Sequence, residues 1–365
     1  MSFEFTNIYV LTEIAILYIL LNLKTLKNLK KKDNIEENKL NSRINFFDFI
    51  KGLAILAAFI GHIVLIYKNN LGELYFFIVK LCRFAIPFFI ISSGCLLYLK
   101  DYSKESIKNF YKKKVIRLII PYLIVCIFLF ILKKYTFNLT NIIKIFDGKI
   151  SAPFYFMPIL IQAYIFYPII NKIIDKIGNK KSLILSFIIS FISIILIPTI
   201  YDFHTFLPYL FFFVFGIIFR KNYYIYDFKY ILKKINFEKF SLIIFIIYFL
   251  FSIIEKNEEY SNFQLIYAPT LFILLFYVND NIKNKKIYKS FSFFGRNSLY
   301  IFLLHFEISQ SLYKYFNNLN INYHFKNILF ILISFIIAFL LPAMLSEKIK
   351  DYLQQQRHSR TPTLD

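Results

Sequence analysis

Residues 45–62 read Asn45-Phe46-Phe47-Asp48-Phe49-Ile50-Lys51-Gly52-Leu53-Ala54-Ile55-Leu56-Ala57-Ala58-Phe59-Ile60-Gly61-His62, and the apolar run continues to residue 67. About twenty apolar residues form a helix roughly 30 Å long, the thickness of a bilayer's hydrocarbon core. Three ionisable side chains interrupt this run. A charged group at bilayer depth costs about 2.5–3.5 kcal/mol on insertion scales, so Asp48, Lys51 and His62 are expected to face a polar cavity and to serve a function. At about 100° per residue, the step from Lys51 to His62 closes to within roughly 20° of one face and covers about 16 Å of axis. A polar stripe is therefore predicted from one membrane surface to mid-depth.

Runs of the same kind recur near 7–23, 46–67, 74–99, 115–132, 153–170, 182–200, 205–219, 240–254, 263–278, 298–312 and 325–345. With 58% hydrophobic and 21% aromatic residues and a mean hydropathy of +0.56, the chain is too apolar for one soluble core. The expected fold is all-α, a polytopic membrane helix bundle with about 10–11 transmembrane helices. Residues 1–44 are expected to form an additional N-terminal anchor and a basic linker. Residues 45–346 form the main membrane domain and 347–365 a tail. The first run carries Glu13, precedes a basic stretch at 24–32 and is followed by no small-residue cleavage site, which favours a retained anchor. Residues 358–365 abandon the Ile/Phe/Lys/Asn-rich style of the rest and read as an appended remnant, so His358 is given no role.

The formal charge of +22 sits in particular connectors rather than on one amphipathic surface, which argues against nucleic-acid binding. If 24–43 is cytosolic, the connectors alternate sides; Lys plus Arg then number about 31 on the cytosolic side and about 7 on the other. The acidic connector Glu255-Lys256-Asn257-Glu258-Glu259 falls outside. A multi-pass protein of the inner membrane with a cytosolic C-terminus is expected. Cys82, Cys95 and Cys126 lie within apolar runs without CxxC spacing, so neither disulfide nor metal site is expected.

Other intramembrane charges add to the list of candidates. Lys80 and Arg83 read as an i,i+3 pair of cations on one helix, a repulsive arrangement that calls for a bound anion or a snorkelling Lys80. Lys112-Lys113-Lys114-Val115-Ile116-Arg117 precedes Pro121-Tyr122. A positive-inside stop signal accounts for Lys112 and Lys113, whereas Arg117 is already within the apolar run. Late in the chain, Ser298 and His305 share one face of a span, with His305 roughly 10–13 Å deep, so two histidines can approach each other at mid-membrane. Asp48 lies about 21 Å from His62 along the axis and is expected to pair with Lys51 instead. No Gly-rich nucleotide loop, GxSxG elbow or HExxH motif is present.

These residues together resemble the acyltransferase-3 family of integral-membrane acyltransferases. The resemblance runs from about 43 to 345. It rests on Arg43…Asp48…Lys51-Gly52, the cation-x10-His step ending at His62, Pro87-Phe88-Phe89…Ser93-Gly94, the pair Lys114/Arg117 before Pro121, and Ser298-Leu299…His305. Pro153-Phe154-Tyr155-Phe156-Met157-Pro158 and Leu207-Pro208-Tyr209-Leu210…Gly216 resemble further family segments. Lys51 and Lys114 stand where the family usually has Arg, which keeps the charge and loses the bidentate fork. The run at 7–23 is extra to the common ten-helix plan.

The resemblance implies an acyl-CoA donor, commonly acetyl-CoA, used as a substrate rather than held as a permanent cofactor. It also implies an envelope glycan or lipid-linked acceptor in the lipid bilayer. Lys51, Lys114 and Arg117 are expected to receive the anionic nucleotide. His62, grouped with Asp48 and Lys51, is the expected catalytic base or acyl relay. Arg83, Tyr155, Ser298 and His305 are assigned to the substrate. A transporter using the same stripe, and a non-catalytic partner of an envelope synthase, are the alternatives. The two halves of the chain show no convincing internal similarity, which favours the enzyme.

Overall fold

The computed structural model describes residues 45–67, 71–97, 101–196, 204–223, 237–254, 264–320 and 322–358. The expected first span, the basic stretch at 24–43 with Arg43, the acidic connector and the tail from 359 lie outside them. Among the described residues the fold is all-helical, without a strand. Six stretches are long and apolar enough to cross a membrane: Asn45–Ile66, Leu74–Leu96, Lys104–Leu132, Ala152–Ile177, Asn179–Leu196 and Tyr323–Tyr352. The other spans expected after residue 67 also fall on helices.

In chain order, α1 is Asn45–Ile66, α2 Glu73–Cys82, α3 Ala85–Leu96, α4 Lys104–Lys114, α5 Ile120–Leu132 and α6 Leu139–Phe146. Then come α7 Phe156–Ile177, α8 Asn179–Leu196, α9 Leu210–Tyr223, α10 Phe237–Ile254 and α11 Gln264–Ile282. The last are α12 Lys286–Arg296, α13 Ser298–Asn317, α14 Tyr323–Ser334 and α15 Leu341–His358. Three of these were expected as connectors: α4, α6 and α12. Residues 347–358, expected as tail, continue α15.

Two π-helical segments, Val115–Ile119 and Phe335–Leu340, join α4 to α5 and α14 to α15. Each is followed within two residues by a proline, Pro121 or Pro342. A proline has no N–H for the carbonyl four residues back and its ring presses on that carbonyl, so the turn before it widens while the helix continues. The first segment carries Arg117.

Helix α8 shows why the chain suits a bilayer. Its buried residues are Ser182, Ser186, Ser190 and Ser193, at helical spacing, while Leu185, Ile188, Ile192 and Ile195 face outward. Lipid removes the hydrophobic drive between helices, and small polar residues become the packing surface. Ser190 Oγ donates to the Leu207 carbonyl at 3.0 Å and accepts from the Phe211 amide at 2.9 Å, fixing the start of α9.

Paired glycines set the closest helix crossings. A Cβ built on Gly52 would strike the Phe291 carbonyl, and one on Gly295 the Asp48 carbonyl, so α1 and α12 touch backbone to backbone. Gly94 and Gly216 do the same for α3 and α9. Around these contacts Phe46, Phe219, Phe272 and Phe276 meet edge to face at 5.1–5.4 Å, and Phe49 stacks on Tyr288 of α12 at 4.5 Å.

Candidate active site

The polar stripe of α1 resolves into two places joined by one neighbouring helix. At its first turns Lys51 Nζ lies 3.0 Å from Asp48 Oδ1, the i,i+3 pair expected from the spacing, with the carboxylate side chain 4% exposed. The pair lines a cavity of about 520 Å³ together with Lys114, Arg117, Arg220 and Ser298. Lys114 Nζ sits 4.6 Å from the Tyr164 ring centre and Arg220 6.0 Å from that of Phe47, so aromatic faces orient two of the cations. Four cations against one carboxylate, between apolar walls, make a site for an anion. All these residues lie at the helix ends that alternating topology gathers on the cation-rich side.

Deeper in the bundle the two histidines meet. The rings of His62 and His305 are 5.2 Å apart, centre to centre, tilted by 45°. His305 is fully buried, and its Nδ1 lies 2.9 Å from the Ile301 carbonyl and 3.0 Å from that of Phe302. Phe306 packs edge-on against His62 at 5.1 Å. Phe59 lies against His305 and is itself backed by Phe335 and Phe339 of the second π segment. The approach of two histidines from different helices, expected from the depths of His62 and His305, is thus the geometry observed.

Helix α13 connects the two places. Ser298 and Phe302 line the cavity, Phe302 offers its carbonyl to His305, and His305 stands beside His62. Phe302 also packs on Phe154 and Phe156, at 6.2 and 5.6 Å, so an aromatic wall separates the cationic chamber from the imidazoles. A cationic chamber on one side of this wall and a pair of imidazoles on the other have room for a long molecule with one anionic end.

The model of an acyltransferase domain, that of the acyltransferase-3 family, matches residues 44–347. The chain belongs to the acyltransferase-3 family. No curated protein and no solved structure matches it. Membership makes it an acyltransferase, and the helices make it a multi-pass membrane protein.

Within this acyltransferase the four residues assigned to the substrate do not form one group. Ser298 lines the cationic chamber, His305 joins His62, and Arg83 and Tyr155 belong to a third cluster. There Tyr155, closing the 3-10 turn Ala152–Tyr155, packs on His204 at 5.2 Å, and Arg83 and Tyr209 act on it electrostatically. The expected i,i+3 cations sit at the C-terminal end of α2, where the Arg83 amide donates to the Lys80 carbonyl at 3.1 Å and caps the helix. Lys80 does not snorkel: it is 4% exposed. The Tyr248 hydroxyl donates to its carbonyl at 2.9 Å, and Phe84 packs on the stacked pair Tyr248–Tyr267, so α10 and α11 cover this turn.

Sequence reasoning missed two features of the site. Arg220, which ends the apolar run of α9, enters the sequence reading only as one of the cations counted on the cytosolic side, although its position mirrors that of Arg117, a cation at the edge of an apolar run. Asn297 is fully buried and locks the start of α13. It accepts from Ser346 Oγ at 2.7 Å and from Lys350 Nζ, and donates to the Phe293 carbonyl at 3.0 Å. A lone Asn before a span carries no such signal in sequence.

Proposed function

We propose that this acyltransferase takes an acyl group, commonly acetyl, from acyl-CoA at the cytosolic side of the inner membrane and delivers it to a hydroxyl or amine of a cell-envelope glycan or lipid-linked sugar. The observation that carries the reading is the four-cation cavity joined through Phe302 to the histidine pair. The nucleotide phosphates lie among Lys51, Lys114, Arg117 and Arg220, and the pantetheine thioester passes the aromatic wall. His62 takes the proton of the acceptor as it attacks the thioester, or accepts the acyl group itself for relay. Asp48 holds Lys51 in place at the chamber mouth.

Coenzyme A titrated into detergent-solubilised protein tests the donor site. Arg117→Ala is expected to weaken binding by about 1.5–3 kcal/mol, the range of a hydrogen bond to a charged group. Lys112→Ala is expected to cost less than about 1 kcal/mol, since Lys112, unlike Arg117, does not line the cavity and its charge acts only through screening solvent. Equal, salt-sensitive losses would mean diffuse attraction to a basic surface. No loss in either variant would remove the donor site and bring the transporter reading forward.

Orientation has its own test. A single cysteine placed within 255–262 is expected to react with an impermeant maleimide on intact cells, and one within 283–289 only after permeabilisation, because the cation bias over short connectors sets direction. The reverse pattern would invert the topology and with it the side from which the donor enters.

A further inference from the structure

We propose that His305 is a positioning residue whose bare Nε2 accepts a hydrogen bond from the ring N–H of His62 and so keeps the other His62 nitrogen unprotonated and turned to the substrate. The inference rests on His62 acting as the base in the reading above.

The tautomer of His305 follows from its partners. Carbonyl oxygens only accept, so an Nδ1 at 2.9 and 3.0 Å from the Ile301 and Phe302 carbonyls carries the proton. In the neutral ring Nε2 then has a lone pair and no hydrogen. That atom is buried and meets no hydrogen-bond partner among the described residues, which is costly to leave so in an apolar surrounding. Its ring neighbours Phe59 and Phe302, both 6.3 Å away, have no N–H or O–H to offer. His62, at 5.2 Å between ring centres, has one, and a small ring rotation brings the edge nitrogens to hydrogen-bond distance.

An imidazole that donates one N–H to a fixed acceptor presents its second nitrogen bare, the form a base requires. The step then balances without a charged acid beside it. The acceptor's O–H proton passes to the bare nitrogen of His62 while its oxygen bonds to the thioester carbonyl carbon. The C–S bond breaks, and the leaving sulfur takes the same proton from His62 to depart as a thiol. During the step His62 is an imidazolium whose N–H points at His305 Nε2, and a hydrogen bond from an ionised donor is stronger than the neutral one before it. His305 keeps its own proton at Nδ1 throughout.

Two conservative variants separate this role from packing. The amide of Asn falls near the Nδ1 position and can still donate to the Ile301 and Phe302 carbonyls, but leaves nothing at Nε2. Gln puts its carbonyl oxygen near Nε2 and gives up the carbonyl bonds. Thiol release from acetyl-CoA by full-length protein in native membranes is the readout. His305→Asn is expected to lower kcat roughly 10- to 100-fold, part of the 10²–10⁴-fold that a base contributes, with KM for acetyl-CoA within about twofold. His305→Gln is expected to restore most of that loss, and His305→Asn to cost nothing further in a His62→Ala background. A reversed order, with Asn near wild type and Gln impaired, means packing alone and overturns the proposal, as do equal losses in both or full additivity with His62→Ala. Should His305→Asn fail to accumulate, Gln against His305→Met carries the same comparison, since Met fills space without a nitrogen or oxygen. Wild-type membranes that release no thiol at all refute the acyl-CoA reading itself, an outcome distinct from these.

Discussion

His62→Ala is expected to abolish acyl transfer, lowering turnover roughly 10²–10⁴-fold, while the protein accumulates and elutes from a sizing column as the wild type does. The side chain is half-buried, and its ring partners are His305 and Phe306, so its removal leaves a partly polar, partly open space rather than a sealed apolar void. Destabilisation near the centre of the usual range, about 1 kcal/mol, is then reasonable. Catalysis has no such reserve. On the proposed mechanism no second base stands ready, because His305 is fully buried and held by the Ile301 and Phe302 carbonyls rather than turned to the acceptor. Incorporation of labelled acetyl into the envelope fraction, alongside thiol release, decides the matter. Turnover close to wild type in both assays would take His62 out of the mechanism.

The spans were legible in the sequence because bilayer thickness fixes their length, and an apolar run near twenty residues reports that length without reference to any partner. The stripe on α1 was legible for a related reason. Asp48, Lys51 and His62 share one helix, so their relation depends only on helical geometry, and the pairing of Asp48 with Lys51 at 3.0 Å matches it. What could not be read depends on which helix lies beside which. Spacing leaves Lys80 either beside an anion or snorkelling, and only the cover that α10 and α11 give its turn shows it buried. The connector that holds α12 is cation-rich, and a count of charge per loop assigns it to water. In the fold its Tyr288, Ser292 and Gly295 face the bundle at helical spacing. Arg220 was hidden likewise, because a positive charge after an apolar run is sufficiently explained by topology alone.

Gly295→Ala is expected to be among the most disruptive additions of a single methyl to this chain, cutting the yield of monodisperse protein severely and lowering its melting temperature in detergent. The added Cβ would overlap the Asp48 carbonyl oxygen and lie 2.8 Å from the Gly52 amide nitrogen, and Gly52→Ala would overlap the Phe291 carbonyl in turn. These are backbone atoms of two regular helices, which cannot rotate out of the way as a side-chain end can, so α1 and α12 must separate. Overpacking in a well-filled interior costs typically about 1–3 kcal/mol and more when backbone must move. Separation here also loses the Phe49–Tyr288 stack at 4.5 Å. Lipid offers no hydrophobic compensation between helices, which leaves close packing as their principal attraction. The same displacement shifts Asp48 and Lys51 at the chamber mouth, so whatever Gly295→Ala protein survives should bind coenzyme A poorly. Gly61→Ala on the same helix α1 is the control: its Cβ would meet only the Cys82 Cβ at 3.8 Å, an ordinary contact, and Ala is favoured over Gly in a helix by up to about 1 kcal/mol. Yield and melting temperature of Gly61→Ala should stay near wild type while those of Gly295→Ala fall. Matching behaviour of the two would mean that α1 and α12 are not in backbone contact.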